Sequence, residues 1–246
     1  MNILVVNDDG YQAEGIKILV ESLKEYGNVY VMAPETQQSG ASHCITVHTF
    51  VRIHERDIFG ADVQAWSIEG TPADCVIFAL KYLKLDIDLV VSGINNGPNL
   101  GTDTIYSGTL AGATEASVHN IPSIALSADF GGFELAEKEI GRILELLIDN
   151  NIYSTEYVLN VNFPMKKYED SKGIMITEQG VRLFHHDFEV EGDKIWAKGW
   201  WDDATNDPHT DVCAYEKGYI SISPLGISRA HKKGIKRLKK ALKSEE

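Results

Sequence analysis

The sequence predicts an α/β protein: a Rossmann-like, mostly parallel sheet flanked by helices, with an antiparallel hairpin extension and a carboxy-terminal arm. Three observations carry that prediction. Ile3-Leu4-Val5-Val6, Val29-Tyr30-Val31-Met32-Ala33 and Leu89-Val90-Val91 are short, almost unbroken apolar runs. Such runs are too brief for helices and suit strands buried on both faces of a parallel sheet. Between the first two, Ile16, Leu19, Val20 and Leu23 recur at helical spacing, which predicts a helix over Ala13 to Tyr26 with Gly27 at its cap. Strand, helix and strand in about 33 residues form a βαβ unit.

The first strand runs into Asn7-Asp8-Asp9-Gly10. Ligands of open parallel sheets bind at the carboxyl ends of strands. Two adjacent carboxylates there repel each other unless a cation or a proton sits between them. A hard divalent ion with oxygen ligands suits the pair. The same residues also suit a plain polar turn, since Asp-Gly is common turn chemistry. A dinucleotide-binding fold places G-x-G-x-x-G at this position; the acids here argue against NAD or FAD, and no Walker-type phosphate loop is present.

The second strand, closed by Pro34, leads into a small-residue loop containing Ser39-Gly40. On chemistry alone Ser39 reads as an ordinary loop serine. Residues 45–68 alternate polar and apolar around Gly60, as a hairpin or small antiparallel extension does. His43, His48 and His54 lack metal-ligand spacing and read as surface residues. Thr71 then suits an N-cap, with Pro72 in the first turn and Asp74 at the positive end of the helix dipole. The strand ending at Ser92 delivers Gly93-Ile94-Asn95-Asn96-Gly97-Pro98-Asn99-Leu100-Gly101, a loop with tightly specified backbone that is rich in amide side chains. Ser107 is placed to cap a helix of small residues; with Gly108 and Thr109 it offers free amides and hydroxyls fit to cradle a phosphate.

Further strands are expected over Pro122–Ser127 and Tyr157–Phe163, with a helix over Glu134–Ile148 between them. Residues 165–215 change character, with Trp196, Trp200 and Trp201 among acids and glycines. That composition fits an exposed interface hairpin or a self-covering loop.

The 246 residues carry a formal charge of −13, which argues against stable nucleic-acid binding. Residues 229–246 hold eight of the 23 Lys and Arg and two acids, a local +6 that leaves −19 on the rest. Ile235, Leu238 and Leu242 share one helical face there, so the tail reads as a docking helix in preference to a nucleic-acid or membrane contact. No apolar run approaches the roughly 20 residues of a membrane span, and no secretory signal is visible at the start. With Cys44, Cys75 and Cys213 unpaired in spacing, reduced thiols and a cytoplasmic location are expected.

Four of these segments together resemble the SurE (survival protein E) family, metal-dependent phosphatases acting on nucleoside monophosphates. They are Val5-Val6-Asn7-Asp8-Asp9-Gly10, Pro34-x-x-x-x-Ser39-Gly40, Gly70-Thr71-Pro72-Ala73-Asp74, and Ser92 to Gly101 continued by Tyr106-Ser107-Gly108-Thr109. Thr210-Asp211-Val212 and Gly218 to Leu225 resemble the family's later landmarks, so the likeness runs nearly end to end. The resemblance implies one divalent ion per subunit, Mg²⁺ or Mn²⁺, on Asp8, Asp9, Ser39 and Asn95. It implies Asp8, Asp9 and Asn96 as catalytic residues, with Asn96, Ser107, Gly108 and Thr109 at the substrate. It implies hydrolysis of 5′- or 3′-nucleotides; a regulatory protein that binds nucleotides without turnover is the alternative. Residues 1–164 form the expected catalytic core, with the hairpin extension at about 45–68. Residues 165–246 form the arm, closing strands and basic helix of the same structural unit, through which the family builds homodimers or homotetramers.

Overall fold

The computed structural model describes residues 1–202 and 206–242; the outermost residues of the basic tail, 243–246, lie outside them. The core is one nine-stranded sheet. In chain order its first part comprises β1 (Asn2–Val6), α1 (Glu14–Leu23), β2 (Asn28–Pro34), β3 (Ile53–Arg56), β4 (Gln64–Ile68), α2 (Pro72–Ile77), β5 (Leu89–Asn96) and α3 (Gly108–Val118). There follow β6 (Ser123–Ala128), α4 (Phe133–Leu144), β7 (Tyr157–Asn162), β8 (Ile174–Ile176), β9 (Phe184–Glu191), β10 (Lys194–Trp201), α5 (Asp211–Lys217), β11 (Ile220–Gly226) and α6 (Lys232–Leu242).

The strand order is β3-β4-β2-β1-β5-β6-β7-β11-β8. β4, β2, β1, β5, β6 and β7 run parallel; β3 and β11 are antiparallel to their neighbours β4 and β7. The continuous apolar run of β1 follows from burial on both faces. Ile3 and Val5 join α1 and α4 in one core, whereas Leu4 and Val6 join α2 in the other. Connections leave β1 toward β2 on one side and reach β5 on the other, so the topological switch point lies at the carboxyl ends of β1 and β5.

Most sequence expectations hold here, with local differences. Thr71 caps α2 in a full capping box with Asp74, and Ser107 caps α3 by accepting from the Leu110 amide at 3.1 Å. The 45–68 region is only partly strand: β3 and β4 pair antiparallel, while β4 extends the parallel sheet beside β2. His43 is not a plain surface residue, because its Nε2 lies 2.7 Å from the buried Glu115 carboxylate. A short helix, α5, begins within the 165–215 stretch that the sequence suggested as a hairpin or loop; the Thr210 cap and Gly218 at φ +90° bound it.

The tryptophan-rich region is a hairpin. β9 and β10 pair antiparallel over eight residues each and stand apart from the main sheet. α6 buries none of its residues, with Ile235, Leu238 and Leu242 all exposed. Among the described residues, the apolar face of the tail helix is left exposed.

Candidate functional site

Every segment that converges on the switch point is brought there by local chemistry. Asn7 is fully buried and closes the turn after β1: its Nδ2 donates to the Gly10 carbonyl at 2.9 Å and its Oδ1 accepts from the Gly10 amide. Gly10 has φ +100°, a conformation other residues rarely adopt. The turn projects Asp8 inward, 3% exposed, and leaves Asp9 half-buried at the rim.

Asp8 sits at the amino-terminal end of α3, where the dipole favours negative charge. It accepts a 2.6 Å hydrogen bond from the Thr109 hydroxyl. Gly108 permits this approach, since a Cβ there would lie 2.7 Å from the Asp8 Cβ. Even so, burial pushes the Asp8 carboxyl up to about 6, opposed by Thr109 and reinforced by the charge of Asp9. Asp9 accepts from the Asn96 amide at 2.9 Å and from Gln37 Nε2 at 3.1 Å. Among the described residues no Lys, Arg or His forms an ion pair with either carboxylate.

The loop after β2 is drawn in by the Gln38 amide, which donates to the Asp8 carbonyl at 2.7 Å and sets Ser39 at the cavity. β5 slips register against β6 between Ser92 and Asn95, and this irregularity presents Asn95 and Asn96 at its end. Asn95 Nδ2 donates to the Gly97 carbonyl at 2.7 Å, leaving its Oδ1 as a neutral oxygen donor. Asn96 Oδ1 accepts from the Gly131 amide at 2.8 Å, leaving its Nδ2 as a hydrogen-bond donor.

Asp8, Ser39, Asn95, Asn96 and Ser107 share one cavity of about 730 Å³. Gly108 and Thr109 do not line it. Thr109 is fully buried behind Asp8 with its proton committed there, so its hydroxyl supports a carboxylate where the sequence suggested a phosphate contact. The donors are all oxygen, as a hard divalent ion prefers, and two uncompensated carboxylates create the demand for one. Among the described residues no group of three or more His, Cys, Asp or Glu comes together, so a cation here would rest on the two carboxylates and neutral oxygens. The residues present fit a hard cation.

Sequence reasoning missed two features. Asn99 is a buried hub: its amide donates to Asn162 Oδ1 at 2.8 Å, its carbonyl accepts from Asn160 and Asn162, and its Nδ2 donates to Ser127. Asparagines inside the apolar β7 strand were the available signal. The second is the far wall of the cavity, made by Arg182, Phe184, His186 and Trp201 at the root of the β9–β10 hairpin. No local pattern marks that pairing, because its partner Asp103 is about 80 residues away in the chain.

Comparison with known proteins places these features in context. The family model described as "Survival protein SurE" matches residues 3–186. The 5′-nucleotidase SurE of Alkaliphilus metalliredigens is 39% identical, the match covering 97% of this chain and 98% of that one. The 5′-nucleotidase SurE of Pelotomaculum thermopropionicum is also 39% identical, over 99% and 96% of the two chains. In structure, the chain is similar to the SurE protein from Aquifex aeolicus, with a TM-score of 0.81 and 35% identity over 98% of this chain and 99% of that one.

Proposed function

The chain belongs to the SurE family, and from that premise we propose that it is a metal-dependent 5′-nucleotidase. It hydrolyses nucleoside monophosphates to nucleoside and phosphate. The observation that carries the reading is the juxtaposition, in one cavity, of a buried carboxylate without a cationic partner, neutral oxygen donors and an apolar wall.

Asp8, Asp9, Ser39 and Asn95 would hold one Mg²⁺ or Mn²⁺, which when bound neutralises the phosphate and acidifies a water. The protein's own groups supply the positioning on which phosphoryl transfer depends. The Asn96 amide fixes Asp9, and Asn96 Nδ2 offers a donor to a phosphate oxygen. The Ser107 oxygen already caps α3, so its proton is available to the same phosphate. Gly108 keeps the helix end close to Asp8. Thr109 holds the Asp8 carboxylate in one orientation.

Two wider features belong to the same reading. Homodimers or homotetramers form through the carboxy-terminal third, where the free-standing hairpin exposes Phe188, Val190, Ile195, Trp196 and Trp200, and α6 exposes its apolar face. The location is the cytoplasm, in keeping with three free cysteines. Among the described residues no helix is long and apolar enough to cross a membrane.

Phosphate release from a panel of nucleoside 5′- and 3′-monophosphates, in EDTA and after restoring Mn²⁺ or Mg²⁺, tests the reading. Release that requires metal and prefers the 5′ esters is expected. No release from any phosphomonoester under restored metal overturns it.

A further inference from the structure

The cavity has two unlike ends. Its floor is polar, built by Asp8, Ser39 and the Asn95-Asn96 pair. Its other end is apolar and aromatic. Tyr106 and Phe130 are 64% and 53% exposed, an unfavourable state for rings that nothing covers, and both line this cavity. Facing the same space is the root of the hairpin, Phe184 and Trp201.

Trp201 is locked in place. Its indole N–H donates to Asp103 Oδ2 at 3.0 Å, so its single donor is already engaged. Arg182 pairs with the same Asp103 oxygen at 3.1 Å and lies 4.4 Å from the centre of the indole ring. Phe184 meets Trp201 edge to face at 4.8 Å, and His186 meets Phe184 in the same manner at 5.1 Å. The Arg182 amide donates to the Thr102 hydroxyl, and that hydroxyl donates back to the Arg182 carbonyl, which fastens the hairpin root to the loop following β5. The wall is thus preorganised, and with its one N–H engaged the Trp201 ring offers a ligand only π surface.

We propose that the hairpin root is the nucleobase-binding wall of this cavity: the base stacks on one of the two perpendicular rings, Trp201 or Phe184, and meets the other edge-on, while Asp103 and Arg182 are positioning residues that hold the indole. The inference rests on the nucleotidase reading for its substrate, but not for its geometry. A flat heteroaromatic base matches an aromatic wall, and that wall shares one cavity with the polar floor where a phosphate would sit. Stacking tolerates different bases, so the wall selects for the presence of a base and not for one letter.

Two measurements test this. In the first, kcat/KM is compared for AMP and for ribose 5-phosphate, which lacks the base, in wild type, Trp201→Ala and Phe184→Ala. Loss of one stacking partner lowers the AMP-to-ribose-5-phosphate preference roughly 5- to 150-fold, mostly through KM. An unchanged preference in both variants overturns the proposal, as does an equal fall for both substrates. If Trp201→Ala does not fold, Phe184→Leu makes the same comparison. The second measurement needs neither metal nor turnover: adenosine is titrated into the wild type and into Trp201→Phe while tryptophan fluorescence is followed. Saturable quenching that is largely lost in Trp201→Phe supports the wall; no quenching in the wild type overturns it. If no phosphomonoester is hydrolysed at all, the activity reading fails, and the adenosine titration still decides the base wall.

Discussion

Replacing Asp8 with Asn separates what the site does from what it takes from the fold. Asp8 is 3% exposed, and its carboxyl is pushed up to about 6 by burial. In the unfolded chain it titrates near the ordinary value of 3.8. A raised value means that the metal-free fold holds this proton more tightly than the unfolded chain does. The stability is therefore full below about pH 4, declines as pH rises toward 6, and stays lowered above it. A difference of about two pH units corresponds to roughly 3 kcal/mol at neutral pH. The amide that replaces the carboxylate carries no charge to bury, and its oxygen can still accept from Thr109. Part of the gain is lost with the charge-assisted bond, leaving about 1–3 kcal/mol in favour of the variant. For a chain of 246 residues that is about 2–10 °C in Tm. Calorimetry in EDTA should show Asp8→Asn melting above wild type at neutral pH, with the gap closing toward pH 4. Mn²⁺ should raise the wild-type Tm only, and phosphate release by the variant should fall by orders of magnitude. A variant that folds but melts at or below wild type in EDTA, beside a wild type whose stability does not fall between about pH 4 and 6, would refute the reasoning.

Thr109→Val removes the donor to Asp8 without touching the cavity lining; Mn²⁺ affinity by calorimetric titration should weaken by roughly 10- to 100-fold, the range of a hydrogen bond to a charged group. Gly108→Ala suits the first turn of α3 in backbone terms, yet its Cβ would stand 2.7 Å from that of Asp8. At least a tenfold loss of kcat without loss of the fold is expected, read from steady-state kinetics and circular dichroism. A chain ending at Gly226 lacks α6, whose apolar face is exposed among the described residues; light scattering should report a smaller assembly than for the full chain, and an unchanged one removes the helix from the interface.

The legible parts of the molecule are those where one segment carries its own reason. The runs at Ile3–Val6 and Leu89–Val91 became central strands because burial on both faces requires unbroken apolar sequence. Thr71 and Ser107 became caps because a hydroxyl before a free amide is a local device. Asp8, Asp9, Ser39 and Asn95 read as one set only through the family resemblance; the residues alone leave them apart, and it is the strand order that brings the ends of β1 and β5 together. Thr109 shows the limit. A threonine at a helix start reads as a phosphate contact until the fold places Asp8 against that helix end and claims its proton. The aromatic wall was opaque for the same reason: Trp201 looked like interface material, and only its contact with Asp103 turns it toward the cavity.

The two ends of the cavity are built by different stretches of chain, and few groups join them. Asp8, Ser39 and the Asn95-Asn96 pair make the polar floor; the hairpin root beyond Gly180, with Tyr106 and Phe130, makes the aromatic end. Asp103 ties the wall through Arg182 and Trp201, and Asp211 ties it through the amides of Gly101 and Gly180 at 2.9 and 2.8 Å. Burial raises the carboxyl of each, and the opposing bonds are those that span the joint: to Arg182 and Trp201 for Asp103, to the Gly101 and Gly180 amides for Asp211. Each carboxylate is therefore most comfortable only while the joint is closed. Substitutions on the hairpin can then alter what the cavity accepts without disturbing Asp8 and Asp9. Substitutions at Asp103 or Asp211 leave buried donors unpaired and loosen the wall from the floor, so they should disturb binding and stability together.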